Sequence, residues 1–325
     1  MLALVCHALS PDLSGLTLER HWPEPHPPGP GEVTVRMLTV ALNFPDMLML
    51  RGGYQFRPQL PFIPGTEGCG VVVAAGQGSE HWLGHRVITG ARQGLLAERV
   101  TLAAAQVRAV PPGLDDLQAA AFTVGALTAW VGLMVRGRLR RGERVLVTGA
   151  GGGMGLAAVA LAVAEGAHVT AVASSAQKLE LARAAGAHDI VQIDRAAPEI
   201  AARGIDLVFD PVGGALFMPA LRTLARGGRH AIIGFTGGQA PPLALNRALL
   251  KEIEIIGVRA GEHGRQDPAA GAAAMAAIDA RAEALKPHIG SVFALADGAQ
   301  AIAGMAAGVL SAKTIIKMAP NEASA

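Results

Sequence analysis

The feature that most constrains the fold is the glycine-rich segment GAGGGMG at residues 149–155, which lies between an apolar β-branched run and a long alanine-rich run. A strand that leads directly into a helix leaves main-chain N–H groups unpaired beside the positive end of the helix dipole. A pyrophosphate satisfies both, provided that no Cβ blocks its approach. With a second strand predicted at 168–172, the segment fits a βαβ dinucleotide-binding unit whose G-x-G-x-x-G positions are Ala150, Gly152 and Gly155.

The rest of the chain has two textures. The first hundred residues are rich in Pro and Gly and contain short β-rich runs, which is typical of a coiled β domain. From about residue 119, alanine-rich segments of helix length alternate with short apolar strands, which indicates βαβ units and a doubly wound parallel sheet. The strands predicted for that sheet lie at 144–149, 168–172, 189–193, 206–210, 229–235 and 253–258.

An α/β protein of two domains follows from these textures. The tail after residue 285 gives a strand, a helix and a last strand, and we expect it to return to the β domain. The predicted division is a β domain at 1–118 and 286–325 and a dinucleotide-binding Rossmann domain at 119–285.

Composition excludes several function classes. A net charge of +2 gives no field that would attract nucleic acid or an anionic membrane. The two cysteines, Cys6 and Cys69, cannot form a disulfide framework and fit a reducing compartment, so a cytoplasmic protein is expected. The longest apolar stretch, 119–135, is shorter than the roughly 20 residues of a membrane span, and a buried helix is predicted there instead. The N-terminus has no basic region or cleavage site and is predicted to be a strand.

The end of the second strand indicates which dinucleotide binds. An Asp or Glu there would bind the ribose 2′-hydroxyl of NAD, but the sequence from Ala173 to Lys178 is ASSAQK. Ser174 and Ser175 offer small donors and Lys178 offers a cation, a combination that suits a 2′-phosphate. NADPH is therefore the expected cofactor, although Lys178 also fits an exposed lysine at a helix start.

Six motifs along nearly the whole chain resemble the zinc-free quinone oxidoreductase branch of the medium-chain dehydrogenase/reductase superfamily. They are ALNFPDMLMLRGGY (41–54), LPFIPGTEGCGVV (60–72), GERVLVTGAGGGMGLAAVALA (142–162), DLVFDPVGG (206–214), GGRHAIIGFTGG (227–238) and LKEIEIIGV (250–258). The resemblance implies a GroES-like β domain joined to a Rossmann domain, with the cofactor in the cleft between them.

The resemblance also implies roles for individual residues. Asn43 and Tyr54 are the catalytic candidates, Asn43 by positioning and Tyr54 by bonding or protonating the substrate oxygen; packing or substrate stacking is the alternative role for Tyr54. The implied cofactor contacts are Asn43, Asp46, Met47 and Thr128 near the nicotinamide and its ribose, Gly152, Gly153 and Met154 at the pyrophosphate, Ser174, Ser175 and Lys178 at the adenosine phosphate, and Phe235 and Val258 at the nicotinamide half.

Alcohol dehydrogenases of this superfamily hold a catalytic zinc through a Cys in the first motif and a His after the PG of the second. The corresponding stretches here, NFPD and PGTEG, contain no soft zinc ligand, and a metal-free enzyme is expected. Without a Lewis acid an alkoxide is poorly stabilised, whereas negative charge spreads readily in a conjugated acceptor. The expected substrates are small-molecule quinones or α,β-unsaturated carbonyl compounds.

Two other functions stay open. An enoyl thioester reductase shares the scaffold, and an NADPH-binding protein without relevant catalysis would share the cofactor site. A homodimer is also expected, because the strand IEIIGV at 253–258 carries little charge and relatives pair along this edge.

Overall fold

The structure is a computed structural model, and it describes residues 1–318. The chain divides into two compact units: Met1–Thr123 with the chain from Ile289 onward, and Val124–His288. The sequence placed the divisions a few residues earlier, after 118 and after 285, and a helix that spans Asp116–Trp130 runs through the first of those points. The predicted α/β class is confirmed.

Strands and helices are numbered along the described chain. The strands are β1 (Ala3–Cys6), β2 (Leu16–Glu19), β3 (Glu32–Ala41), β4 (Glu67–Ala75), β5 (Arg86–Gly90), β6 (Arg99–Ala103), β7 (Val107–Ala109), β8 (Arg144–Thr148), β9 (His168–Ala173), β10 (Asp189–Gln192), β11 (Ile205–Asp210), β12 (Leu224–Ile232), β13 (Glu254–Gly257), β14 (Ile289–Ala294) and β15 (Lys313–Lys317). The helices are α1 (Phe44–Leu50), α2 (Asp116–Trp130), α3 (Gly153–Ala164), α4 (Ala176–Ala184), α5 (Phe217–Thr223), α6 (Asn246–Lys251), α7 (Ala260–Gln266), α8 (Pro268–Asp279) and α9 (Gly298–Ala306).

The first unit is organised around the long strand β3. It pairs antiparallel with β4 on one side and with β6 and β15 on the other, in the order β14-β15-β3-β4-β5-β7. Because neighbours cover both edges and the core covers its faces, the apolar residues Val33, Val35 and Val40 of β3 have no exposed surface. The last strand, β15, adds to this sheet beside the carboxyl end of β3.

The second unit contains a parallel six-stranded sheet in the order β10-β9-β8-β11-β12-β13. This is the strand order of a dinucleotide-binding fold, in which ligands lie beyond the carboxyl ends of the strands. All six predicted strands are present. The run predicted at 229–235 differs most, because the main chain leaves β12 and Gly237 N–H bonds to the carbonyl of Val212 instead of continuing the sheet.

The buried helix predicted at 119–135 is α2, which continues as a π-helical turn at Val131–Arg136. By length and composition alone, Asp116–Arg136 is the one helix in the described chain that could cross a membrane. Within the fold, 56% of its most apolar window is buried, and a core helix of a soluble protein meets the same criteria.

Candidate nucleotide-binding and active site

The glycine-rich segment connects β8 to α3 at the carboxyl edge of the parallel sheet. Helix α3 begins at Gly153, and Gly152 occupies its N-cap position without a side chain that could cap the helix. The N–H groups of the first helical turn have no acceptor within a helix, and they form the positive end of the helix dipole. The geometry provides an anion site made of main chain.

The fold requires glycine at two positions of this loop and leaves a third position free to carry a side chain. Gly149 has a φ of +59°, which L side chains rarely adopt. A Cβ on Gly155 would lie 2.3 Å from the carbonyl oxygen of Gly149, so α3 can approach β8 only without one. A Cβ on Gly152, in contrast, would meet nothing closer than the same oxygen at 3.5 Å, an ordinary contact. The fold itself does not need a glycine at 152, but a phosphate approaching the main chain would.

The residues implied for the adenosine phosphate lie at the neighbouring strand end. Ser175 is the N-cap of α4, and its Oγ accepts the N–H of Lys178 at 3.4 Å. The stem of Lys178 packs on the glycine loop, since a Cβ on Gly151 would lie 2.3 Å from the Lys178 Cβ. Burial lowers the pKa of Lys178, and the positive charge of Arg195 lowers it further. Sequence reasoning missed Arg195, which follows β10 and adds a second cation to this edge; Ser174 is half-buried beside them.

A buried aspartate joins three strand ends at this edge. The Asp210 Oδ1 accepts the Thr148 hydroxyl at 2.5 Å and the N–H groups of Val212 and Gly213, each at 3.0 Å. Its Oδ2 lies 3.1 Å from Nε2 of His230, which has no exposed surface. Burial raises the pKa of Asp210, but the hydrogen bonds and charge of its partners outweigh burial and hold it below the ordinary value. The carboxylate therefore stays ionised and ties β8, β11 and β12 together.

The remaining cofactor candidates of the second unit lie near the same edge. Phe235, 52% exposed, follows β12 and its ring packs on Gly213. Val258 follows β13, and its N–H donates to the carbonyl of Ile232 at 3.0 Å. Thr128 is half-buried on α2, the helix that packs beside the start of α3. The structure thus gathers the second-unit candidates around the carboxyl ends of β8, β9, β12 and β13.

The first-unit candidates lie at the start of α1, directly after β3. The Asn43 N–H donates to Oδ2 of Asp46 at 2.7 Å, and the Asp46 N–H donates to the Asn43 carbonyl at 3.0 Å, so the Asp46 carboxylate takes part in capping the helix. Asp46 also accepts the N–H of Gly65 at 3.2 Å. Burial raises the pKa of Asp46 to about 7, with a further contribution from Glu67. Met47 is buried on the following turn.

The Asn43 side chain points away from the helix into a buried charged cluster that sequence reasoning did not find. Its Nδ2 donates to Oε1 of Glu67 at 2.9 Å, and its Oδ1 accepts from Nζ of Lys313 at 2.8 Å. Glu67 and Lys313 form an ion pair of 2.6 Å. Lys313 lies 270 positions along the chain from Asn43, so only the pairing of β15 with β3 brings it there.

The other catalytic candidate, Tyr54, is half-buried and packs against the hydrophobic core of the first unit. Thr66, at the position where alcohol dehydrogenases carry a zinc-binding His, lies 3.3 Å from Asn43 Nδ2 through its hydroxyl. Among residues 1–318, no group of three or more His, Cys, Asp or Glu side chains is placed to hold a metal ion.

Comparisons with known proteins agree with this architecture. Residues 29–112 match the alcohol dehydrogenase GroES-like domain, and residues 153–277 match the zinc-binding dehydrogenase family. Quinone oxidoreductase-like protein 2 of Rattus norvegicus is 36% identical over 281 residues, which cover 83% of this chain and 80% of that protein. The quinone oxidoreductase of Thermus thermophilus, whose structures include a complex with NADPH, has a TM-score of 0.82 and 33% identity over 98% of this chain and 100% of that one.

A third relative is much longer than this chain. The mycocerosic acid synthase-like polyketide synthase of Mycobacterium tuberculosis is 38% identical over 219 residues, which cover 64% of this chain but 10% of the synthase.

A GroES-like unit combined with a parallel sheet and a glycine-rich nucleotide loop defines an oxidoreductase of the medium-chain dehydrogenase/reductase superfamily. Within that superfamily, the chain belongs to the quinone oxidoreductase branch.

Proposed function

We propose that this protein is an NADPH-dependent reductase that transfers hydride to a quinone or to an α,β-unsaturated carbonyl compound without a metal ion. The observation that carries the proposal is the anion site in front of α3, where Gly152 leaves open space that the fold does not require. The Thermus thermophilus relative, solved with NADPH, supports the same cofactor.

Two parts of the carboxyl edge of the parallel sheet bind different phosphates in this proposal. The main chain of Gly152, Gly153 and Met154 binds the pyrophosphate at the positive end of the helix dipole, with the N–H groups of Gly153 and Met154 as donors, because the Gly152 N–H already donates to the Gly149 carbonyl at 3.0 Å. Ser174, Ser175 and Lys178 bind the 2′-phosphate, and Arg195 supplies a second positive charge beside Lys178. The adenosine ribose of NADH carries no 2′-phosphate for these two cations to bind, so the site favours NADPH.

The reacting end is assigned to the candidates already named. When bound, NADPH supplies the hydride from its nicotinamide ring. The residues proposed to orient that half are Asn43, Asp46, Met47, Thr128, Phe235 and Val258. Holding donor and acceptor about 3 to 3.5 Å apart supplies much of the rate acceleration. The Tyr54 hydroxyl is proposed to bond the acceptor oxygen, where negative charge develops.

Independence from zinc is part of the proposal. Zinc prefers thiolate, imidazole and carboxylate ligands, whereas Asn43 and Thr66 present an amide and a hydroxyl to each other at 3.3 Å. The ammonium group of Lys313 already neutralises Glu67 in this cluster. Positive charge at this position therefore comes from a side chain.

The proposal is tested with a panel of acceptors. NADPH oxidation is followed with 1,4-benzoquinone, 9,10-phenanthrenequinone and an enone, before and after dialysis against a strong chelator. We expect turnover with a quinone or the enone, a preference for NADPH over NADH, and no loss of activity on chelation. Activity that vanishes with the chelator and returns with zinc would contradict the metal-free mechanism.

The second candidate is an enoyl thioester reductase, favoured by the match to a segment of the mycobacterial polyketide synthase. Both reactions deliver hydride to a conjugated system, so the acceptor distinguishes them. Crotonyl-CoA turnover with a kcat/KM well above that of both quinones would establish this alternative. If NADPH binds but no acceptor is reduced, the protein is an NADPH-binding protein without such catalysis.

We further propose a cytoplasmic homodimer that acts on small molecules and binds neither nucleic acid nor membrane. The net charge of +2 offers nucleic acid little attraction, and both cysteines are free and buried. The dimer is supported by exposed leucines at the β13 edge of the parallel sheet, including Leu249 at 75% exposed and Leu250 at 79%.

A further inference from the structure

The Asn43 amide is bonded at opposite ends by opposite buried charges. Its oxygen accepts from Lys313 at 2.8 Å and its nitrogen donates to Glu67 at 2.9 Å. The side chain of Lys313 is 8% exposed and that of Glu67 is 1% exposed, so water screens these interactions little. Both bonds are charge-assisted and are therefore stronger than those between neutral groups.

This arrangement permits one orientation of the amide. Rotation by a half-turn would place the Asn43 NH₂ against the Lys313 ammonium, which has no acceptor, and Oδ1 against the Glu67 carboxylate. Each of these contacts would be repulsive and would leave a buried polar group unsatisfied. The Lys313 and Glu67 pair therefore fixes which end of the amide points where.

The hydrogen-bonding capacity of the amide is nearly used up. An asparagine side chain has two N–H donors and two acceptor sites on its oxygen. One N–H goes to Glu67, and the nitrogen also lies 3.3 Å from Oγ1 of Thr66 and 3.4 Å from the carbonyl of Ala41. Lys313 takes one acceptor site. Within residues 1–318, one acceptor site of Oδ1 has no partner, whereas the NH₂ group has partners for both N–H bonds.

We propose that Lys313, held by Glu67, is a positioning residue that makes Asn43 an acceptor-only contact for a ribose hydroxyl of the nucleotide. The identity of that hydroxyl rests on the proposed function, whereas the orientation of the amide does not. It follows that Asn43 does not donate to the developing oxyanion of the substrate. That donor has to come from another group, for which Tyr54 is the candidate already named.

The energetics of buried ion pairs fit this role. Desolvation of two charges commonly cancels their attraction, so a pair such as Lys313 and Glu67 adds little stability over an apolar pair of similar volume. Removing one partner alone is strongly destabilising, because the remaining charge is then buried without an opposite charge beside it. A variant without both charges therefore separates orientation from folding.

The test uses the double variant Lys313→Met/Glu67→Gln, with Lys313→Arg as the conservative replacement. A glutamine at 67 can accept or donate, so both orientations of the amide become possible. Lys317→Met is the matched control, since Lys317 lies on the same strand but is exposed. Unfolding midpoints identify variants that fold.

The first measurement requires no ligand. The chain contains three asparagines, Asn43, Asn246 and Asn321, so protein labelled with ¹⁵N only at asparagine gives three side-chain amide pairs. The pair that disappears in Asn43→Ala is assigned to Asn43. We expect one of its protons downfield and slow to exchange in the wild type and in Lys317→Met, and shifted upfield with faster exchange in the double variant. An unchanged pair in the folded double variant would overturn the positioning role.

The second measurement separates binding from chemistry. We expect the double variant to raise the Kd for NADPH about three- to tenfold, as for one lost hydrogen bond, with kcat at saturation unchanged and with Lys313→Arg near the wild type. A fall in kcat with unchanged Kd would show that Asn43 acts on the oxyanion and would overturn the acceptor-only role. If the wild type binds no NADPH, the proposed function and the ribose contact fail together, while the amide spectrum still decides the role of Lys313.

Discussion

Two buried aspartates show how neighbours decide the charge of a side chain at the scale of residues. Asp210 is surrounded by donors, namely Thr148, two main-chain N–H groups and His230, and its pKa lies below the ordinary value. Asp46 accepts the N–H groups of Asn43 and Gly65 and has the carboxylate of Glu67 nearby, so burial prevails and its pKa rises to about 7. The same residue type therefore has a lowered pKa at one position and a raised pKa at the other.

Asp46 makes stability depend on pH. Because its pKa in the folded chain, about 7, exceeds the ordinary 3.8, the folded protein holds a proton that the unfolded chain releases between those values. Its contribution to the free energy of unfolding is present at low pH and is lost as the pH rises through about 7. Asp46→Asn should make the free energy of unfolding depend less on pH. The difference in unfolding free energy between the wild type and the variant should therefore become smaller as the pH rises, as measured by urea unfolding at a series of pH values. A gap that widens instead would contradict the raised pKa.

Gly152 and Gly155 form a matched pair of substitutions. Gly155→Ala should lower the unfolding midpoint, because its Cβ would lie 2.3 Å from the Gly149 oxygen. Gly152→Ala should fold with a nearly unchanged midpoint but lose NADPH affinity, because its Cβ enters the space proposed for phosphate. Calorimetric titration with NADPH and thermal unfolding distinguish the two variants. Full affinity in Gly152→Ala would refute the phosphate site.

At the scale of elements, the start of α4 meets the glycine loop and the segment after β10. Gly151 lets the Lys178 stem pack on the loop, and Arg195 brings a second cation close enough to affect the Lys178 pKa. In the proposed function, specificity for the 2′-phosphate therefore depends on these three segments together. Asp194 is acidic and cannot attract a phosphate, so the positive charge at this edge comes from Lys178 and Arg195.

Cofactor preference tests this arrangement. Lys178→Asp should shift the ratio of kcat/KM values from NADPH towards NADH, and Arg195→Ala should weaken NADPH binding about tenfold or more with NADH unaffected, as expected for a lost bond to a charged group. Arg183→Ser is the control, because Arg183 lies on α4 in an exposed pair with Glu180. If Arg195→Ala weakens the binding of NADH and of NADPH equally, Arg195 does not contribute to recognition of the 2′-phosphate.

At the scale of the whole molecule, three of the most exposed apolar side chains come just before one edge strand in the sequence. Leu245, Leu249 and Leu250 are each at least 75% exposed, and they precede β13, the edge strand of the parallel sheet. An uncovered strand edge flanked by apolar side chains favours pairing with a second copy, most simply about a twofold axis.

Charge on this surface should prevent that pairing. Leu249→Glu/Leu250→Glu is expected to convert a dimer into a monomer by light scattering or sedimentation, since burying two carboxylates in an apolar contact is costly. Val309→Glu is the control, because Val309 is 71% exposed in the first unit. A wild type that is monomeric at every concentration would contradict the proposal.

The local pattern of the chain was sufficient to predict the strands of the second unit and the glycine loop. Strand and helix periods, and the need for bare main chain at a helix start, depend on neighbours in sequence, and the six strands of the second unit were predicted from them. Strand ends were less accurate. Strand β12 spans Leu224–Ile232 rather than 229–235, and it ends early because the following loop bonds to the loop after β11.

Tertiary structure decided the contacts that tune the site. Lys313 reaches Asn43 only because the last strand pairs beside the carboxyl end of β3, and His230 reaches Asp210 only across adjacent parallel strands. Sequence patterns report local periodicity. The pKa of Asp46, in contrast, depends on its burial and on the charges of Glu67 and Lys313, which come from distant parts of the chain. The sequence by itself determined the scaffold and the glycine loop, and the packing of distant segments determined the orientation of Asn43 and the charge around it.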